Sequence, residues 1–337
     1  MSQPFDPVGV AIVGIGFGPW SASGRHAKAL KQNKKMKLVT CYSRSEEKRK
    51  RFSQENGCEA NQSYQAALAR SDVEAIILAT PNSTHAGLAI EALQSRKHVF
   101  IEKPLATTFR DCMRIKDANR SVGSVIAVGQ FWRFLRRHRL LKSMIDEGKL
   151  GTLLMAEGNE SVRAAMNLTE NNWRWHATER ELVLFNSAIH PLDTLRYLLG
   201  EVEDACGFLT KRVTQGELDD TACTSLKFKS GVLASLIATY ASPRRTYLNI
   251  YGTEANAFAD ESGLSVMTKD AKQPESVSLT ELDPIEAEQV DFAEAIRLKR
   301  KPEVDLDEGS ANVAVVEALI RSFEKRRYVS ISEVLEE

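Results

Sequence analysis

An α/β chain, with a doubly wound parallel sheet in its first part and an α+β second part built on a large, mostly antiparallel open sheet, is predicted by three features. An apolar run from Val8 to Val13 passes directly into Gly14-Ile15-Gly16-Phe17-Gly18-Pro19. Up to Val128, short apolar runs alternate with helical segments, the pattern of a parallel sheet covered by helices. From Gly129 the strand candidates lengthen and alternate in polarity, as in Thr224-Ser225-Leu226-Lys227-Phe228-Lys229, which suits a sheet with one packed and one open face. The division falls at 128/129, giving domains 1–128 and 129–337.

The 337-residue length fits two domains better than one. Acidic and basic residues balance at 45 each, so net charge points neither to nucleic acid nor to an anionic membrane. Cys41, Cys58, Cys112, Cys206 and Cys223 show no C-x-x-C spacing, and the six histidines show no ligand spacing with carboxylates. Neither a disulfide scaffold nor a bound metal is expected. The first seven residues lack a basic region ahead of an apolar core, and no later run is long enough for a bilayer. A cytoplasmic protein is the expectation.

Strand, glycine turn and a helix including Arg25 to Lys31 present backbone N–H groups and a helix N-terminus to a pyrophosphate, the Rossmann arrangement. Gly14, Gly16, Phe17 and Gly18 carry that turn. Pro19 stands where the third glycine of G-x-G-x-x-G falls, and Gly24 is available for close packing. Met36 to Tyr42 reads as the second strand and Ser45 to Glu55 as a charged helix. NAD-selective sites place an acid at the end of that strand. Ser43-Arg44-Ser45 stands there instead and suits a 2′-phosphate, so NADP is preferred over NAD, with Ser43 and Arg44 as the discriminating residues.

Ala75 to Ala79 has the continuous apolar character of a strand buried on both faces, and Pro81 stops it. Asn82 or Ser83 is expected to cap the helix Thr84 to Ser95. Thr80, Pro81, Asn82 and His85 thereby reach the same sheet edge as the glycine turn. The next strand ends in Glu102-Lys103-Pro104, delivering a lysine to the carboxyl edge, where open α/β sheets bind ligands. A helix from Thr108 to Ser121 and a strand from Val125 to Val128 complete this half.

With these motifs in place, the chain resembles the glucose-fructose oxidoreductase and inositol dehydrogenase family, of Gfo/Idh/MocA type. The resemblance rests on the glycine turn, on Thr80-Pro81-Asn82 with His85, and on Glu102-Lys103-Pro104. Gly129-Gln130-Phe131-Trp132-Arg133-Phe134 is similar to the family's domain-crossing segment. It covers nearly the whole chain. It implies a dinucleotide-binding first domain, a second domain for substrate binding and oligomerisation, and homodimers or homotetramers through the open sheet.

In the second half, Leu135 to Glu147 is a basic amphipathic helix stopped by Gly148. Strands are expected at Thr152 to Gly158, Ala205 to Thr214, Thr221 to Lys229, Val232 to Tyr240 and Tyr247 to Gly252. Asp291 to Arg297 and Gly309 to Lys325 read as helices, and Thr268 to Pro284 as a polar, loop-rich excursion. Between the first two of those strands lies the run from Leu182 to Asp193. On a helix, Asn186, His190 and Asp193 fall on one face, although Pro191 removes a helical hydrogen bond. The resembled family carries Asp-x-x-x-His-x-x-Asp here, its histidine serving as acid/base. Asn186 replaces the first aspartate; an amide orients an imidazole but does not stabilise an imidazolium.

The catalytic candidates are therefore Lys103, His190 and Asn186. Lys103 would hydrogen-bond the reacting oxygen and His190 would carry its proton, in hydride transfer between nicotinamide and a sugar, polyol or related cyclic hydroxyl or carbonyl compound. Glu102 either fixes its turn or touches the cofactor. Arg133, Trp173, Arg174 and Asp193 are candidates for substrate contact, the tryptophan equally suiting core packing. A small-molecule NAD(P)-dependent dehydrogenase or reductase is expected. A non-catalytic cofactor-binding sensor of the same fold is the other reading.

Overall fold

The computed structural model describes residues 6–16, 21–168, 172, 180, 183–214, 217–280 and 282–336. The chain forms two compact units, 1–130 with 283–310, and 131–282 with 311–337.

The first unit runs β1 (Val8–Val13), α1 (Ala22–Leu30), β2 (Met36–Tyr42), α2 (Glu46–Asn56), β3 (Glu59–Ala60), α3 (Tyr64–Leu68), β4 (Ala75–Leu78), α4 (His85–Gln94), β5 (His98–Glu102), α5 (Phe109–Arg120) and β6 (Ile126–Gly129). Its strands lie in the order β3-β2-β1-β4-β5-β6, every pair parallel. The order reverses between β1 and β4, the switch point at which such sheets bind ligands beyond the carboxyl ends of their strands. All of β1 and β4 is buried, which explains their unbroken apolar character. Ser21, Ser45, Ser63 and Thr108 each accept a backbone N–H from the first turn of the helix they precede, so hydroxyl residues set where α1, α2, α3 and α5 begin.

In the second unit, α6 (Arg136–Asp146), β7 (Leu153–Ser161) and α7 (Ile189–Leu199) are followed by β8 (Val202–Thr210), β9 (Thr221–Phe228), β10 (Leu233–Thr239), β11 (Arg245–Gly252), β12 (Ala255–Asp260), β13 (Gly263–Thr268) and β14 (Glu275–Val277). With β15 (Val329–Ser330), they form a nine-stranded sheet ordered β14-β13-β12-β11-β7-β10-β9-β8-β15. Only the β7–β10 pair is parallel. Burial alternates along β9 and β10, leaving Met155, Phe208 and Leu233 exposed on the open face. The strands β12 and β13 go beyond the expected set, and β14 falls inside the segment expected to be loop. Alanine alternates with asparagine, phenylalanine and aspartate in β12, and polar residues interrupt β13 and β14, so none of the three offers a continuous apolar run to recognise.

The chain ends with α8 (Pro284–Leu298), α9 (Leu306–Lys325) and α10 (Ser332–Leu335). Asp283 caps α8 through bonds from Ile285 N and Glu286 N, with Pro284 at the first position. Division at 128/129 assigns 283–310 to the second part, but Phe292, Ala293 and Ile296 of α8 join the core of β1, β2 and β5. Among the described residues no helix is long and apolar enough to cross a membrane.

Candidate active site

The parallel sheet brings the ends of β1, β2, β4, β5 and β6 to one edge. Gly14 begins the glycine turn at φ +92°, and a Cβ there would lie 2.5 Å from the Ala79 carbonyl oxygen, so only glycine lets β1 turn beside β4. Gly16 N–H donates to Ser23 Oγ at 3.1 Å. Beside this turn, α1 and α2 border a groove of about 370 Å³ that carries Lys28, Lys31 and Lys48. Together the tight turn, a helix N-terminus and these cations fit an anionic dinucleotide. Phe17 and Gly18 lie outside the described residues.

At the end of β2, the buried Arg49 donates from Nη1 to the carbonyls of Ser43 (2.6 Å) and Arg44 (3.3 Å). It thereby fixes the turn and leaves the Arg44 side chain exposed. After β4, residues 82–84 form a single 3-10 turn. Thr84, not Asn82 or Ser83, is the N-cap of α4, and it makes no side-chain capping bond. The extra turn carries Asn82 too far ahead to cap. Thr84 Oγ1 instead bonds Thr80 Oγ1 and the Pro81 carbonyl. Asn82 is buried, and its Nδ2 has no hydrogen-bond partner among the described residues, so a donor remains available at this edge.

His85 is fully buried, with Nδ1 2.8 Å from the Pro104 carbonyl and Nε2 3.0 Å from the Thr80 carbonyl. Burial holds its pKa below the usual histidine value, against the pull of the two carbonyls. A neutral ring has one N–H, so it donates to one of these carbonyls and packs against the other; held between two turns, His85 is a clamp and does not face a ligand. The Lys103–Pro104 bond is cis.

Glu102 ends β5 and is held by a buried polar chain. Asn33 Nδ2 donates to Gln289 Oε1 at 3.3 Å, and Gln289 Nε2 donates to His26 Nδ1 at 3.1 Å and to the His26 carbonyl at 3.2 Å. His26 Nε2 in turn lies 3.1 Å from Glu102 Oε1. Because Nδ1 accepts, the proton sits on Nε2 and points at the carboxylate. The other oxygen, Oε2, accepts the Lys103 backbone N–H at 3.3 Å. Burial works against charge on Glu102, yet the His26 bond and the nearby Arg25 and Lys103 cations hold its carboxyl well below the usual range. A Cβ on Gly129 would press within 3.4 Å of Oε2, so glycine on β6 makes room for the carboxylate.

In the second unit, Arg133 lies in a short 3-10 turn, 131–134, and is 3% exposed. Its Nε and Nη2 donate to the two oxygens of Asp193 at 2.6 and 2.8 Å, and Asn312 Nδ2 donates to Asp193 at 2.6 Å. Asp193 is 0% exposed. These two residues, expected at the substrate, satisfy each other as a buried bidentate pair. His190 is buried between aromatic rings, edge-on to Phe131 at 4.9 Å and stacked on Trp132 at 6.0 Å. Before it, Leu184–Ala188 forms one π turn that runs into α7; the wider turn accommodates Pro191, which has no N–H to give. Asn186 is half-buried within it. Trp173 and Arg174 lie outside the described residues. Among the described residues no cluster of metal ligands is present.

A family model described as the oxidoreductase family with NAD-binding Rossmann fold matches residues 8–130, and one for the GFO/IDH/MocA C-terminal domain matches 138–258. The chain belongs to the GFO/IDH/MocA oxidoreductase family. The resemblance read from the glycine turn and Glu102-Lys103-Pro104 is thus borne out, and the GFO/IDH/MocA fold is an NAD-binding one. Among relatives, 1,5-anhydro-D-fructose reductase of Ensifer adhaerens is 26% identical over 299 residues, 85% of this chain and 88% of that protein. Inositol 2-dehydrogenase of Salmonella typhimurium is 32% identical over 139 residues, 41% of this chain and 39% of that one. Among solved structures, a Desulfitobacterium hafniense chain provisionally described as an NADPH-dependent oxidoreductase is 29% identical with a TM-score of 0.91, covering 98% of this chain and 99% of that one. Levoglucosan dehydrogenase, in complex with NADH and levoglucosan, shares the fold at 22% identity and a TM-score of 0.88, over 97% of this chain and 100% of that one.

Several residues that hold the site carry no motif: His26, Arg49, Gln289 and Asn312. A signal did exist for one of them. Ile285, Phe292 and Ile296 mark the apolar stripe of α8, and Glu288 and Gln289 occupy its core positions, where polar residues call for a reason.

Proposed function

We propose that this chain is an NADP-preferring oxidoreductase of the cytoplasm that moves a hydride between nicotinamide and a hydroxyl or carbonyl carbon of a sugar, a polyol or a related cyclic compound. The observation that carries this reading is the Glu102-Lys103 end of β5, a carboxylate fixed by His26 with a lysine beside it at the carboxyl edge of the sheet. When bound, the nicotinamide supplies or accepts the hydride. Lys103 donates a hydrogen bond to the reacting oxygen and stabilises negative charge developing on it. His190 takes or returns the oxygen's proton, with Asn186 orienting the ring.

The turn of Gly14, Gly16, Phe17 and Gly18 holds the pyrophosphate. Ser43 and Arg44 take the 2′-phosphate, and Thr80, Pro81, Asn82 and Glu102 line the rest of the cofactor, with His85 acting through the turns it clamps. Trp173 and Arg174 contact the substrate, while Arg133 and Asp193 support its site as a buried ion pair. The exposed Arg44 supports NADP, as does similarity to a chain described as NADPH-dependent. Relatives named for anhydrofructose and inositol support a cyclic polyol or sugar. Exposed Met155, Phe208 and Leu233 support a homodimer or homotetramer through the open sheet face.

The test is NADPH or NADH oxidation with a panel of cyclic keto-sugars, and the reverse reaction with the matching polyols. Lys103→Ala should lower kcat by about 10²–10³-fold while NADPH still binds. Unchanged turnover in that variant sinks the role, and NADPH binding without turnover on any compound puts a sensor in place of an enzyme.

A further inference from the structure

Two ion pairs of the second unit are joined by one neutral side chain, Asn312 of α9, which is 0% exposed. Its Nδ2 donates to Asp193 Oδ1 at 2.6 Å, and its Oδ1 accepts from Arg196 Nη1 at 2.8 Å. Asp193 accepts from Arg133 through both oxygens, while Arg196 Nη2 donates to Glu201 Oε1 at 2.7 Å. The contacts thus run from Arg133 through Asp193, Asn312 and Arg196 to Glu201. An amide can donate to the anion on one side and accept from the cation on the other. A carboxylate in its place would repel Asp193, and a cation would repel Arg196.

Asp193 and Arg196 both lie on α7, and His190 stands one turn before Asp193. The start of α7 has little hold of its own: no side chain caps it, Pro191 has no N–H, and a π turn runs into it. Its orientation therefore depends on side chains further along the helix. Arg133 belongs to the 131–134 turn, whose Phe131 and Trp132 rings flank His190 at 4.9 and 6.0 Å. The Arg133 guanidinium also lies 5.5 Å over the Tyr197 ring of α7, and His138 of α6 fixes the Trp132 carbonyl at 2.7 Å. With the aromatic turn held in this way, a shift of Asp193 moves the His190 imidazole against the two rings.

We propose that Asn312 is a positioning residue for proton transfer at His190: by tying Asp193 to Arg196 it holds the first turns of α7 against the 131–134 turn, with the imidazole set between Phe131 and Trp132. The inference rests on His190 carrying the proton of the reacting oxygen. A misplacement of that ring by about 1 Å costs on the order of a hundredfold in rate.

The test compares wild type, Asn312→Leu, Asn312→Asp and His190→Ala. Asn312→Leu removes both amide bonds, whereas the isosteric Asn312→Asp keeps the acceptor for Arg196 and turns an anion on Asp193. The first readout is the NMR spectrum of the isotope-labelled histidine rings, with His190→Ala identifying the His190 signal. Ring currents from Trp132 and Phe131 displace that signal, so both Asn312 variants should move it while the other histidine signals hold their places. The second readout is NADPH oxidation with the panel of cyclic keto-sugars, in which kcat should fall about tenfold or more, with much smaller changes in KM and in NADPH binding. A His190 signal or a kcat that stays at the wild-type value in both variants overturns the proposal, whatever the melting temperature does. Wild-type kcat in His190→Ala, or no turnover of any compound by the wild type, overturns the reading beneath it. The ring signal needs no turnover, so it keeps the two failures apart.

Discussion

His26 Nε2 donates to Glu102 Oε1 at 3.1 Å, tying a residue of α1 to the last residue of β5. The tautomer is enforced from behind by Gln289, so the support is directional. Replacing His26 by Leu leaves the buried carboxylate with the Lys103 backbone N–H and the Arg25 guanidinium at 3.8 Å and should cost about 1–3 kcal/mol, the range for a buried acceptor stripped of a donor. The shift of the urea midpoint measures it. Because the folded Glu102 carboxyl is held low, its contribution is present above its unfolded pKa and fades as pH falls. The difference between wild type and His26→Leu should therefore shrink in acid; a difference that is constant with pH would contradict the assignment.

Arg133 and Asp193 form a buried bidentate pair, and Asn312 also donates to the carboxylate. Arg133→Met leaves Asp193 buried and charged against one amide, and should destabilise by about 3–5 kcal/mol. Adding Asp193→Leu should recover much of the loss. Were these residues free to meet substrate, Arg133→Met would raise KM with little change in the unfolding midpoint, and that result would refute the pairing.

Burial, with Arg137 nearby, pulls the pKa of His138 down to about 3, and its Nδ1 bonds the Trp132 carbonyl at 2.7 Å. The folded ring stays neutral while the unfolded one gains a proton below its ordinary value. Its contribution is thus complete above about pH 6.5 and declines toward about pH 3, at about 1.4 kcal/mol per pH unit. Wild type should lose stability faster than His138→Gln across that window. Parallel melting curves would show that the ring carries no such linkage.

Asn186 sits on the π turn one turn before His190. Asn186→Asp would place an anion there and favour the imidazolium. The pH at which kcat/KM rises should move upward by about one unit, with kcat increased in the direction that needs His190 as base. A profile identical to wild type would separate Asn186 from the proton transfer.

The strands of the first unit were legible because both faces of the sheet are covered, so β1, β4 and β5 appear as apolar runs cut off by glycine, proline or charge. Glu102-Lys103-Pro104 stood out for the same reason. What lay behind it did not: His26 is a lone histidine in an alanine-rich helix, and its partner Gln289 is 263 residues away. Nothing local marks such a contact. Arg133 and Asp193 show the opposite limit. Their polarity suggested a ligand, but the fold brings together two charges 60 residues apart and buries both. The return of α8 to the first core was equally hidden, because an amphipathic stripe shows that a helix packs and not on which sheet.

On the proposed reading, cofactor choice turns on Arg44 and on the Arg49 that holds its turn. Arg44 is exposed, while the buried Arg49 binds the carbonyls of Ser43 and Arg44. Arg44→Ala removes a charge that only NADP can use and should weaken NADPH by about 1.5–3 kcal/mol, the worth of a hydrogen bond to a charged group, with NADH nearly unaffected. Arg49→Ala should also weaken NADPH, by loosening the turn, and in addition lower the melting temperature, since it strips two carbonyls of a buried donor. Fluorescence titration of both cofactors against each variant reads the four affinities. Equal losses for NADH and NADPH in Arg44→Ala would move the preference to NAD and leave Arg44 as an ordinary residue at the start of α2.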